Sequence, residues 1–195
     1  MKKLFTFIAV SLSAYHAYSQ TQAGNMMLGG SVSIYSQGVE GSDASYSQFS
    51  FSPSFGYFIQ ENLAIGASLN LGSSTDDNIA SKTVMTNFGI GPFVRYYKFT
   101  SNEDFAFFGQ AQVLFSTGKV DDTPGGEVST SGLAFTLSPG FSYFATPHWA
   151  IDFSVTALSI SSYDPNTDSD NNKSTTINFN LSMAPSLGIR YHFGN

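Results

Sequence analysis

The chain has 195 residues, of which 11% are charged and 15% are aromatic, and its formal net charge is −6. Ordinary globular proteins carry roughly 25% charged residues, so the composition sets this chain apart from them. The absence of cysteine excludes disulfides and thiolate chemistry, and the acidic balance without a basic patch gives no support to nucleic-acid binding.

The N-terminal segment has the features of a secretory signal peptide. Two lysines precede an apolar run over 4–12, and small residues lead to a cleavage site after Ser19. The apolar run is too short for a membrane-spanning helix. We therefore predict a signal peptide over 1–19 and one mature domain over 20–195.

The segment 51–72 is the clearest hairpin. In its first arm Phe51 and Phe55 alternate with serine and glycine, and in its second arm Leu69 and Leu71 alternate with serine and asparagine. Period-two alternation of this length indicates β-strands. The polar face is small and uncharged, whereas a soluble sheet would present charged side chains to water. The pattern fits a transmembrane β-barrel with lipid outside and a narrow polar lumen inside.

An apolar-x-Pro-x-apolar core recurs in four returning arms. Its prolines, which alternation places on the lipid-facing side, are Pro53, Pro92, Pro139 and Pro185. Because proline donates no backbone hydrogen bond, we expect local bulges or water-satisfied carbonyls beside them. Four returning and four outgoing arms make eight strands, an even number, as a closed bacterial barrel requires.

The predicted strands, in chain order, cover 25–36, 46–58, 63–72, 84–98, 105–117, 131–145, 149–161 and 175–193. Each meets or exceeds the roughly 9–11 residues that a tilted strand needs to cross the hydrocarbon. The predicted fold class is therefore all-β, an eight-stranded antiparallel up-and-down transmembrane β-barrel.

The connections between these strands fall into two classes. The short ones are 59–62, 100–104 and 146–148, and the longer, polar loops are 37–45, 73–82, 118–129 and 162–173. Since short turns face the periplasm in such barrels, we expect both termini to be periplasmic. The long loops hold most of the acidic residues, but the acidic stretch 164–170 lacks the glycine and glutamate of an EF-hand, so no metal site is predicted.

Aromatic residues gather at the short-turn end, where amphipathic rings form a girdle at the lipid–water boundary. The predicted girdle consists of Tyr57, Tyr96, Tyr143, Trp149, Tyr191 and Phe193. The same boundary cluster also includes Phe58, Tyr97, Phe99 and Phe144.

Charged side chains inside the predicted strands are few, and most of them face the lumen by parity. The lumen set consists of Arg95, Asp152, Arg190, Gln110, Gln112, Asn178 and Asn180. A buried charge needs partners, so we predict an Arg/Asp network near the periplasmic half. An eight-stranded interior is only just wide enough for side chains, which favours a structural plug over a gate or selectivity element.

The unit over 53–68, PSFGYFIQENLAIGAS, resembles the outer-membrane β-barrel family that includes OmpA/OmpX-type small barrels and many proteins labelled "porin family". The resemblance implies a location in the outer membrane of a Gram-negative bacterium. It also implies insertion by the outer-membrane assembly machinery, which recognises a C-terminal strand with aromatic ends, here 188–193.

The expected role is non-enzymatic. The mature chain holds two histidines, His148 and His192, and neither has an obvious acid–nucleophile pair. We expect no cofactor and no nucleic-acid partner, but a monomer in outer-membrane lipid with a structural or surface-interaction role through its extracellular loops. The surface partner is left open, and the alternative function is a narrow porin-like channel for water or small solutes.

Overall fold

The computed structural model describes residues 20–38, 44–78, 81–167, 174–179 and 186–194. The strands are β1 (Met26–Gly38), β2 (Ser45–Gln60), β3 (Leu63–Asn78), β4 (Ser81–Phe99), β5 (Phe105–Thr123), β6 (Gly126–Phe144), β7 (Trp149–Ser154), β8 (Leu158–Asp164), β9 (Ser174–Phe179) and β10 (Ser186–Phe193). Within these ranges no helix is long and apolar enough to cross a membrane. The predicted signal peptide, 1–19, lies outside the described residues.

Eight of the strands close into a ring. Each strand from β1 to β6 pairs antiparallel with the next, and β10 lies between β7 and β1. At the closure Phe193 lies opposite Met26, and Tyr191 lies opposite Trp149. The predicted eight-stranded antiparallel barrel is therefore confirmed. Its last predicted strand, 175–193, corresponds to β9 and β10, between which the chain lies outside the described residues.

Bulky apolar side chains cover the outside of the ring. Phe55, Leu69 and Leu187 are 45%, 37% and 58% exposed, whereas Ser68 and Ser142 are buried inside. A soluble barrel would show the opposite distribution. The inverted pattern predicted from the sequence is confirmed, and it requires an apolar solvent around the cylinder.

The apolar outer face has a limited height. On β5 it runs from Phe105 to Phe115, beyond which Lys119 and Asp121 occupy the same face. This height corresponds to the roughly 9–11 residues that a tilted strand needs to cross the hydrocarbon. The rest of β5 therefore extends beyond the apolar band.

The prediction of long loops over 73–82 and 118–129 is wrong. β5 and β6 stay paired as far as Asp122 opposite Gly126, and β3 and β4 likewise continue almost to their connection. Valine and threonine supply strand propensity here, while charges line both faces, so the apolar alternation that marks a buried face is missing. These segments are hydrogen-bonded hairpins that rise above the band.

The predicted strand 149–161 is divided by a bulge into β7 and β8. The three residues 155–157 oppose only Ser138 and Pro139 of β6, so the pairing shifts by one residue between the two strands. The Val155 N–H donates to the Pro139 carbonyl at 3.1 Å. The expected bulge therefore occurs at this proline, where the ladder lacks a donor.

The other two described repeat prolines are accommodated without a bulge. Gly30 lies opposite Pro53, and Ala67 lies opposite Pro92, so each proline stays paired with the preceding strand. Toward the following strand the ladder is interrupted around the proline and resumes in the same register. Pro53 is half-buried and Pro92 and Pro139 are exposed, whereas Pro185 lies outside the described residues.

Candidate functional site in the barrel interior

Three charged side chains meet in the barrel interior. Arg95, Asp152 and Arg190 occupy inward positions of β4, β7 and β10, and each is almost fully buried. β10 pairs directly with β7, whereas β4 and β10 lie on opposite sides of the ring. The two arginines therefore reach toward one carboxylate from opposite walls.

The single carboxylate binds both guanidinium groups. Asp152 Oδ2 accepts from Arg95 Nη1 at 2.5 Å and from Arg190 Nε at 2.9 Å. The other oxygen, Oδ1, accepts from the Ser142 hydroxyl at 2.6 Å. Both oxygens of this carboxylate thus have donors, which is the condition for burying a charge without a large penalty.

Two glutamines of β5 extend the network. Arg95 Nε donates to Gln110 Oε1 at 2.8 Å, and Gln110 Nε2 donates to Gln112 Oε1 at 3.0 Å. The Arg95 guanidinium carbon also lies 3.9 Å from the centroid of the Phe108 ring, in a cation–π arrangement. These contacts fix the orientation of Arg95 but do not neutralise its charge.

The cluster carries more positive than negative charge. Arg95 Nη1 also donates to the Tyr97 hydroxyl at 3.1 Å, and Arg190 Nη1 donates to the Ser54 hydroxyl at 3.4 Å. In the part of the chain that the structure describes, Asp152 is the only acidic side chain that forms an ion pair with either arginine. Two guanidinium groups therefore share one carboxylate.

Aromatic rings fill the lumen on the short-turn side of these charges. Phe58 and Tyr97 are 0% exposed and Phe144 is 4% exposed. The Tyr97 ring lies 6.0 Å from Phe58 and 6.4 Å from Phe144 between centroids, and His192 packs against all three rings. Placing Phe58, Tyr97 and Phe144 at the lipid boundary was therefore wrong. Each directly follows an outward tyrosine, so alternation turns it inward.

The segment 20–25 folds across the same end of the barrel. The Asn62 N–H donates to the Thr21 carbonyl at 2.8 Å, and the Gly24 N–H donates to the Phe58 carbonyl at 2.9 Å. The Thr21 hydroxyl donates to Asn62 Oδ1 at 2.7 Å, and Thr21 is 1% exposed. The aromatic layer is thus covered by the N-terminal segment of the described chain. No periodic signal in the sequence indicated this cover.

Toward the hairpins the interior is polar and open. A cavity of about 350 Å³ lies against Arg95, Asp152 and Arg190, and its other walls are mainly hydroxyl and amide side chains. A second cavity of about 430 Å³ shares Asn70 with the first and extends toward the hairpins. We call these two cavities together the polar well. The charge cluster lines its short-turn end and is called its floor.

The remaining predicted site residues lie in different places. Tyr57, Tyr96, Tyr143 and Trp149 are exposed on the outer face at the short-turn end, and Tyr191 and Phe193 are half-buried beside them. The Trp149 and Tyr191 rings lie 4.9 Å apart between centroids. The side chains of Asn178 and Asn180 lie outside the described part of the structure.

The two histidines of the predicted mature chain lie near the short turns. His148 Nδ1 lies 3.0 Å from the backbone oxygen of His192, and the His192 ring lies in the aromatic layer. Within the described ranges, no hydroxyl or carboxylate hydrogen-bonds to either ring. Nor, in the same ranges, is any group of three or more His, Cys, Asp or Glu side chains placed to hold a metal ion.

Comparisons with known proteins identify a family model and several solved structures that are similar to this chain. A family model described as the outer membrane protein beta-barrel domain matches residues 5–184. Among solved structures, neisserial surface protein A (NspA) is 19% identical, with 88% of this chain and 98% of that chain covered and a TM-score of 0.50. Ail of Yersinia pestis is 12% identical, with 88% and 100% covered and a TM-score of 0.48. OprG of Pseudomonas aeruginosa is 14% identical, with 89% and 98% covered and a TM-score of 0.43. A comparison with curated protein sequences finds no match.

Proposed function

This chain belongs to the outer membrane protein beta-barrel family, and from that premise we propose that it is a closed, non-enzymatic barrel that presents an interaction surface outside the cell. The observation that carries the proposal is the filled interior. The Arg95–Asp152 and Arg190–Asp152 ion pairs and the aromatic layer occupy successive levels of the lumen. Because eight strands leave an interior only just wide enough for side chains, these layers act as a plug.

The proposed orientation places the hairpins outside the cell and both termini in the periplasm. Short turns face the periplasm in outer-membrane barrels, and the described turns at 61–62 and 100–104 are short. With the lumen plugged, the hairpins are the part of the molecule that remains available to a partner. Lipid and the outer-membrane assembly machinery are the other contacts that we propose, and the barrel is a monomer.

Charge indicates which surfaces the hairpins favour. The two described hairpin lysines are already paired, Lys82 with Asp77 at 3.4 Å and Lys119 with Glu127 at 2.7 Å. The acidic side chains of the hairpins are more numerous, so negative charge is left over. The described hairpin acids are Asp76, Asp77, Asp121, Asp122 and Glu127. A cationic partner surface fits this excess best.

The test uses the barrel in nanodiscs of zwitterionic lipid, with amine-coated and sulfate-coated beads as probes at physiological salt. We expect retention on the amine-coated beads, and loss of retention in a triple variant with Asp121→Asn, Asp122→Asn and Glu127→Gln. A matched control neutralises Glu61, Glu103 and Asp104 at the short-turn end and should still bind. Equal binding by the hairpin variant and the unaltered barrel would refute the surface role.

A narrow channel for water or small solutes is the second candidate. It is favoured by one observation, the two polar cavities that share Asn70 and occupy the hairpin half of the lumen. Conduction would require the ion pairs and the aromatic layer to move apart. Electrical conductance separates this candidate from the plugged barrel.

A further inference from the structure

Among the residues that the structure describes, the floor of the polar well carries an unbalanced charge. Arginine stays protonated at any physiological pH, so Arg95 and Arg190 together contribute two positive charges against the one negative charge of Asp152. Both arginines are buried, with 5% and 6% of their surface exposed. A buried charge without a counterion is strongly unfavourable. Compensation from Asp121 and Asp122 is weak, because these two acids lie beyond the apolar band on β5.

The hydrogen bonds of the two arginines leave donors for a further ligand. Arg95 uses Nε and Nη1 on Gln110, Tyr97 and Asp152, and Arg190 likewise uses Nε and Nη1. Within the described residues, Nη2 of each arginine has no protein partner. Both arginines line the cavity of about 350 Å³. Charged N–H donors from opposite walls therefore meet at the bottom of the well.

We infer that this floor binds a halide-sized monovalent anion between Arg95 and Arg190, in the cavity that also contacts Asp152. Such an anion balances the excess charge and accepts the remaining guanidinium hydrogen bonds. It enters from the hairpin end, because the polar cavities extend in that direction and the aromatic layer blocks the other. The inference does not depend on whether the hairpins bind a surface.

The experiment measures the chloride NMR line width as chloride is titrated into the refolded barrel in a nonionic detergent. We expect excess broadening at low chloride concentration that falls toward the line width of free chloride as the site saturates. The decisive variant is Gln110→Glu, because Gln110 Oε1 lies 2.8 Å from Arg95 Nε, and a carboxylate there supplies the missing negative charge from the protein itself. We expect this variant to lose the saturable broadening.

The matched control is Gln48→Glu. It makes the same change in the cavity of about 430 Å³, which neither arginine lines. It should keep the saturable broadening. Heat-modifiable gel mobility shows whether each variant is folded. If Gln110→Glu does not refold, Gln112→Glu introduces the same charge at the next inward position on β5, in the wall of the same cavity. The absence of saturable broadening in the unaltered barrel, or its persistence in the folded glutamate variant, would overturn the inference.

Discussion

Arg190 Nε donates to Asp152 Oδ2 at 2.9 Å across two neighbouring strands, β10 and β7. Gly188 lies directly opposite Asp152 in this pairing, so Arg190 reaches the carboxylate diagonally. A Cβ atom at position 188 would approach the Gly30 carbonyl oxygen to 3.3 Å, which is tighter than usual. The contact therefore connects β10 to β7 at the same Asp152 carboxylate that Arg95 of β4 binds from the opposite side of the ring.

Asp152→Asn is expected to destabilise the barrel strongly. It removes the carboxylate that both arginines share and leaves two buried guanidinium groups without their protein partner, so we expect a loss of roughly 3–5 kcal/mol in the free energy of unfolding. Urea unfolding in lipid vesicles, followed by the fluorescence of the single tryptophan, measures this loss. The exposed acid in Asp121→Asn is the control and should change stability little. Equal effects of the two variants would contradict the role given to the cluster.

Phe58→Ala and Tyr57→Ala form a matched pair at adjacent positions on opposite faces. Phe58 is fully buried in the aromatic layer, so its truncation leaves a cavity and should cost about 3–5 kcal/mol. Tyr57 is 45% exposed on the outer face, so its truncation should lower the free energy of unfolding by less. The same unfolding experiment compares them. A larger effect of Tyr57→Ala would place the packed layer outside the lumen.

The height of the apolar band can be measured with arginine substitutions along β4. Ile90 and Thr86 share the outer face, but Ile90 lies within the band and Thr86 lies beyond it. Ile90→Arg should destabilise the barrel by roughly 2–4 kcal/mol, and Thr86→Arg by about 0–1 kcal/mol. Unfolding in vesicles of defined thickness provides both values. Similar costs at the two sites would mean that the hairpin region also lies in lipid.

The N-terminal cover is tested with two threonines whose hydroxyl groups each donate to a side-chain oxygen. The Thr21 hydroxyl donates to Asn62 Oδ1 at 2.7 Å where Thr21 is buried, and the Thr83 hydroxyl donates to Asp122 Oδ1 at 2.6 Å in an exposed hairpin. Thr21→Val leaves Asn62 Oδ1 without this donor in a part-buried contact and should cost about 0.5–1.5 kcal/mol. Thr83→Val should change stability little, because water replaces the lost partner. If both variants unfold like the original barrel, segment 20–25 does not cover the end.

The alternation of side chains along the strands was enough to predict that the outer face needs an apolar solvent and that the charged side chains point into the lumen. The positions of Arg95, Asp152 and Arg190 relative to their apolar neighbours fix the face, because side chains alternate strictly along a strand. The contact of both arginines with the same carboxylate was harder to predict. It depends on the register between strands and on the ring closure through β10, which short turns and interrupted ladders determine.

The errors have specific physical causes. Phe58 and Tyr97 lie close to the short turns, which favours a boundary position, but the alternation that turns Arg95 inward turns these two rings inward as well. The hairpin over 118–129 was missed because neither of its faces is packed on a core, so the hydrophobic period disappears while the backbone pairing continues. The bulge beside Pro139 was expected from the missing donor, but its absence at Pro53 and Pro92 has no sequence signal.

The most direct measurement is the conductance of the pure barrel in a planar lipid bilayer. The ion pairs of Arg95 and Arg190 with Asp152 and the packed rings around Tyr97 fill successive levels of the lumen. We expect a bilayer containing the folded protein to show no steady current. A steady ohmic current that scales with the amount of folded barrel would contradict the plugged lumen and favour the channel.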